Sequence, residues 1–175
     1  MKKTNRLTLG AMFLAVMMVL GYIESMLPSF GIPGVKLGLA NSVLLLSLYW
    51  LGIPFSVVLM LAKVGLSGLL FGNPYAMIYS LSGGIASMLA MILMIYVVQD
   101  VSAIGAGAAG GVMHNVGQIA VAMVQLNTTR LVYYMAILMV IGVVMGMITG
   151  SIAKRLMVYL PKDRRALFLK NPEKE

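Results

Sequence analysis

Lys63 lies near the middle of a long apolar run, with Ser56 seven positions before it and Ser67 four after, so a helix here carries one polar stripe. A second stripe passes through His114 and Gln118, four apart, with Asn115 beside them and Gln125 seven residues beyond Gln118. A lysine at the centre of a membrane helix costs about 2.5–3.5 kcal/mol on insertion scales, so Lys63 is expected to face protein or water. Glu24, Lys36, Asn41, Tyr79 and Arg130 are the further polar groups carried by or bordering the apolar segments. The candidate ligand-binding set is therefore Glu24, Lys36, Asn41, Lys63, Tyr79, His114, Asn115, Gln118 and Arg130. Three cations and a histidine against one carboxylate leave an excess of positive charge, which a bound carboxylate, phosphate or electron-rich ring would offset. The plainer alternative is that these groups pair among themselves, Glu24 with Lys36 for example, and only hold the helices together.

Other chemistry is poorly provided for. The chain has no Cys, which removes disulfides, thiolate metal sites and a Cys nucleophile. There is no Walker A loop, no pair of carboxylates and no Ser/His/Asp arrangement, since Asp100 and Asp163 fall in or near cytoplasmic-side segments away from His114. No catalytic residue, metal ligand or cofactor is assigned. The 17 Met residues are spread around the helices rather than clustered, which favours adaptable packing over Cu(I) ligation. Without a nucleotide site of its own, the chain could take part in energised transport only with ATPase partner subunits.

The elements that must position these residues follow from composition. Of 175 residues, 61% are hydrophobic and 10% charged, against roughly a quarter charged in soluble domains, so the lipid bilayer is the expected solvent. Ten of the thirteen Lys and Arg lie in the two tails, and between Leu7 and Ala153 the charged residues are Glu24, Lys36, Lys63, Asp100 and Arg130. Breaks at Pro28–Gly34, Leu51–Pro54, Gly72–Pro74, Gln99–Ser102 and Asn127–Arg130 divide the apolar run into six segments. The expectation is an all-α integral membrane protein, a compact bundle of six transmembrane helices forming a single domain over 1–175. Approximate spans are 7–27, 36–52, 54–71, 75–97, 102–126 and 131–153, most close to the roughly 20 residues that cross a hydrocarbon core. The 51–54 junction would also suit a kinked single helix, and five spans are the alternative. Basic residues before the first span and after the last place both termini in the cytoplasm by the positive-inside rule, which requires an even number and favours six. The basic tail 154–175 is expected at the cytoplasmic interface. A net charge of +8 could suggest nucleic acid, but the bases flank spans and no groove or stacking platform accompanies them, so no nucleic-acid partner is expected.

Depth along the helices brings the polar groups together. From the cytoplasmic edge, a rise of 1.5 Å per residue puts Lys63 roughly 14 Å up, His114 roughly 18 Å, Gln118 roughly 24 Å and Glu24 roughly 25 Å. Tyr75 and Tyr79 enter from the other side near Asn73, and Lys36, Asn41 and Arg130 occupy outer ends, so the cluster is expected in the outer half. Gly142, Gly146 and Gly150, with Gly107 and Gly111, form GxxxG steps that favour close helix contact within the chain. Tyr49, Trp50, Tyr133 and Tyr134 sit near span ends, where aromatic rings anchor at headgroups.

Two stretches carry resemblances. Arg6 to Val16, Arg-Leu-Thr-Leu-Gly-Ala-Met-Phe-Leu-Ala-Val, resembles the first helix of substrate-binding S components of energy-coupling factor (ECF) transporters. There a pair of small residues contacts the transmembrane T subunit, and the resemblance implies that role for Ala11 and Ala15, with a T subunit and ATPase subunits as partners. Pro33 to Asn41, Pro-Gly-Val-Lys-Leu-Gly-Leu-Ala-Asn, together with His114-Asn-Val-Gly-Gln118, is similar to the bacterial membrane family known both as Gx transporter and as heptaprenyl diphosphate synthase component I. That second name implies a non-catalytic role in making the menaquinone side chain. Prenyl elongation relies on Asp-Asp-x-x-Asp motifs, and this sequence has none. Relatives also resemble a membrane component of flavin-linked extracellular electron transfer. The resemblances imply a bacterial cell membrane location and, as the leading expectation, a substrate-binding subunit for uptake of a small molecule.

Overall fold

The computed structural model describes residues 3–26, 38–71, 74–98 and 101–159. Within them the chain forms α1 (Lys3–Met26), α2 (Asn41–Leu51), α3 (Ile53–Phe71), α4 (Pro74–Tyr96), α5 (Ala103–Gln125) and α6 (Val132–Leu156), closed by a 3₁₀ turn, Met157–Tyr159. Local chemistry sets several boundaries. The Ser102 hydroxyl caps α5 by accepting from the Gly105 amide at 3.1 Å, and Pro74, which lacks an amide proton, opens α4. Gly52, at φ 87°, ends α2 in a backbone conformation that side chains resist. The chain turns back there. Ser47 donates to Ser56 at 2.7 Å, whereas nine residues of one continuous helix would hold the two roughly 13 Å apart. The 51–54 break is thus a reversal between two helices and not a kink.

Four helices, α1, α3, α4 and α6, are long and apolar enough to cross a membrane, which supports membrane association. Six spans were expected, and the other two helices differ for physical reasons. α2 has 11 residues and rises only about 16 Å, shorter than the 36–52 span anticipated. α5 has 23 residues, but His114, Asn115, Gln118 and its glycines lower its apolarity.

Each long helix buries one stripe. On α1 the buried positions are Gly10, Phe13, Met17, Gly21 and Glu24, spaced three or four apart as a helix face requires. The largest apolar cluster surrounds α2, where Leu45, Leu48 and Leu51 are enclosed by Met17, Leu59, Met60 and Met91. Tyr49 is buried in this cluster, and Trp50 packs edge-on against Phe13 at 5.9 Å between ring centroids. Neither stands as the exposed interfacial anchor expected of it, whereas Tyr133 and Tyr134 are exposed at the start of α6. α5 is the central strut and packs most extensively on α6 and α4. Its Gly107 and Gly111 lie against the backbone of Gly142, Gly146 and Gly150, so close that any Cβ would strike a carbonyl or Cα of the facing helix. At the other edge, Arg6 donates to the Leu51 carbonyl at 2.8 Å, a cation on the C-terminal end of α2.

Candidate functional site

Five helices deliver polar groups to one connected buried cluster. α3 carries Lys63, whose stem runs past α1 where Gly21 leaves room, a Cβ there coming 3.8 Å from Lys63 Cε. Its ammonium donates to the Ser80 hydroxyl of α4 at 3.3 Å. One turn further along α4, Gly83 faces α5, and a Cβ at Gly83 would lie 2.8 Å from the His114 ring and 2.9 Å from Gln118 Cγ. The opposite side of the ring meets Gly38, just before α2, where a Cβ would lie 3.0 Å from His114 Cδ2. The imidazole is therefore clamped between two residues that have no side chain. Gly38 also holds φ at 84°, a conformation suited to glycine. On α1 the Glu24 carboxylate accepts from the Leu39 amide, which ties the start of α2 to the first helix.

Gln118 Nε2 lies 2.7 Å from His114 Nε2. With the glutamine amide donating, the imidazole accepts at Nε2, and a neutral ring carries its proton on Nδ1. Glu24, Lys63, His114 and Gln118 are all buried, Lys63 being the most accessible of them at 7%. A cation and a carboxylate enclosed by apolar helices are tolerable only with partners, and each here has at least one. With all four side chains buried, the arrangement is closed.

The expected residues separate into those the fold gathers and those it does not. Glu24, Lys63, His114 and Gln118 come together, and Asn41 borders them through Gly38, from whose Cβ position its Nδ2 lies 3.1 Å away. Asn115 is buried but faces α6, donating to the Leu138 carbonyl at 2.6 Å. Tyr79 is buried in an apolar cluster with Ile119, Ala122 and Leu138, so its ring packs instead of lining a polar site. Arg130 is exposed in the turn before α6, and Gln125 is exposed at the end of α5, off the interior stripe it was expected to share. Lys36 and Asn73, the side chain of Tyr75 and the tail from residue 160 lie outside the described residues. Ser56 is buried as anticipated, yet it serves the α2–α3 reversal and not Lys63. Sequence reasoning missed Ser80, Gly83, Gly38 and the Leu39 amide. The signal for α4 was available: Ser80, Gly83, Gly84 and Ser87 repeat at helical spacing and make one small-residue face.

Ala11 and Ala15 are exposed on α1, off the stripe that buries Gly10, Phe13 and Met17. A separate outward groove of about 1050 Å³ runs between α4 and α5, lined by Ile85, Leu89, Leu93, Ala108, Val112 and Met113 among others. It is apolar and contains none of the clustered polar residues. Among the described residues no group of three His, Cys, Asp or Glu side chains is placed to hold a metal ion.

A sequence model of the family described as heptaprenyl diphosphate synthase component I matches residues 13–156. No curated protein and no solved structure matches the chain. The matched region runs from the middle of α1 to the last residue of α6 and takes in the whole polar cluster, so the chain belongs to the heptaprenyl diphosphate synthase component I family.

Proposed function

We propose that this protein is a membrane substrate-binding subunit, similar in role to an ECF S component, that captures a small anionic or aromatic molecule for uptake energised by partner ATPase subunits. The observation that carries the reading is the convergence of Glu24 of α1, Lys63 of α3 and His114 and Gln118 of α5 on one buried locus. Helix association alone does not call for a lysine inside the bilayer, because apolar and small-residue packing achieves it without desolvating a charge. Capture from the closed arrangement requires the Gly38–Asn41 turn to lift from His114, releasing the Glu24 contact to Leu39; a ligand that prefers the lifted form shifts the population toward it. Ala11 and Ala15, on the outward face of α1, form the docking surface for a T subunit. In this reading α2 and α5 complete six passes through a bacterial cell membrane, with both termini cytoplasmic.

Family membership supports a second reading, in which the chain is a non-catalytic membrane component of a heptaprenyl diphosphate synthase, with a separate subunit carrying the Asp-rich catalytic motifs. A mild-detergent pull-down of the tagged protein from its native host separates the two. Recovery of a T subunit and two ATPases supports the uptake reading. Recovery of a prenyl synthase without them replaces it with the accessory one.

A further inference from the structure

We propose that a single water molecule is bound inside the protein where α2, α5 and α6 meet, held by the side-chain amide of Asn41. This site stands independently of the uptake reading. Two separate observations meet there. A cavity of about 10 Å³ is bounded by Gly38, Asn41, Met91, Gly107, Gly146 and Thr149. Asn41 lines it, is only 9% exposed, and its Nδ2 has no hydrogen-bond partner among the described residues. A buried N–H left without an acceptor is costly, and near-complete pairing of such groups is the rule in native interiors.

The volume selects the occupant. One water needs roughly 10–15 Å³ of such space and two or more polar neighbours. Glycines of α5 and α6 line the gap, and its space is too small for another side chain or an organic ligand. Thr149 donates its hydroxyl proton to the Gly146 carbonyl at 2.9 Å and keeps oxygen lone pairs to accept from a water. Asn41 faces the space with a donor, which suits a water oxygen and repels a cation. The water thereby satisfies an amide in the first turn of α2, three residues from the glycine that covers His114.

The test is synchrotron radiolytic footprinting of the full-length protein in nanodiscs, because hydroxyl radicals formed from a bound water oxidise the thioether beside it even where bulk water does not reach. Met91 lines the cavity and Met17 does not, yet both are 1% exposed, so Met17 is the internal control. Met91 is expected to oxidise several-fold faster than Met17, and in Asn41→Leu its rate should fall to that of Met17. Equal rates in the wild-type protein overturn the site without needing any variant. A Met91 rate that stays high in a folded Asn41→Leu protein overturns the assignment of Asn41 as the residue that holds the water.

Discussion

The ammonium of Lys63 and the hydroxyl of Ser80 meet at 3.3 Å across the α3–α4 contact, seventeen residues apart in sequence and both buried. Burying an ammonium removes it from water, a desolvation cost that its polar contacts must offset. In the proposed uptake reading, the same locus admits a further negative group during the working cycle.

Lys63→Met tests that argument. Methionine keeps the length and apolar bulk of the lysine stem while removing the charge, so the protein should still fold in detergent. Native mass spectrometry of protein released from nanodiscs should detect a co-purifying small molecule on the wild type and none on the variant. Equal retention by both proteins would remove Lys63 from the binding site.

Gly38→Ala should open the cover of the cluster. A side chain there must adopt φ near 84° and press on His114, a combination costing about 1–2 kcal/mol for the backbone alone. His114 is the chain's single histidine, so its reaction with diethylpyrocarbonate reports directly on that cover. The wild-type ring, 2% exposed, should react slowly, and the variant several-fold faster. Unchanged reactivity would show that the Gly38 turn does not control access.

The element boundaries were largely legible because apolar periodicity and Pro or Gly breaks are local properties. The predicted 54–71 and 75–97 segments match Ile53–Phe71 and Pro74–Tyr96 to within a residue at each end. The buried stripe of α3, from Ser56 through Lys63 to Ser67, was legible from spacing alone. Residues near helix ends were less so. Gln125 keeps the azimuth of Gln118 but lies about 10 Å further along α5, at its exposed end. Arg130 was placed by depth alone, and depth says nothing about azimuth around a helix. Tyr79 was placed by depth in the same way, while the packing of its ring beside Ile119 depends on how α4 is rotated against α5. The partners Ser80, Gly83 and Leu39 could not be identified without knowing which helices adjoin, since a serine or glycine in a membrane helix is unremarkable until a charged neighbour is found against it.

The α5–α6 seam should respond sharply to one methyl group. In Gly111→Ala the new Cβ would overlap the Gly142 carbonyl, which can move only with its helix, so a loss of about 1–3 kcal/mol is expected. Gly65→Ala is the matched control: nothing lies within 4 Å of its Cβ position, and replacing an interior helical glycine should gain up to about 1 kcal/mol. Thermal unfolding followed by size-exclusion chromatography in one detergent measures both. Comparable behaviour of the two variants would mean that the seam is looser than the backbone contacts indicate.

Ala11→Trp separates docking from folding. Ala11 is exposed on α1, off the buried Gly10–Phe13–Met17 stripe, so an indole there should leave the bundle and its thermal stability within about 0.5 kcal/mol of wild type. On a flat helix–helix contact built from small residues, the same indole would hold the partner several ångströms away and abolish close packing. The pull-down from native membranes should then lose its T and ATPase subunits while mass spectrometry still finds the small molecule on the isolated protein. Because α1 presents Ala11 and Ala15 on the side turned away from Glu24 and Lys63, retention of the partners by Ala11→Trp would place the energising contact on another helix without disturbing the case for the buried cluster.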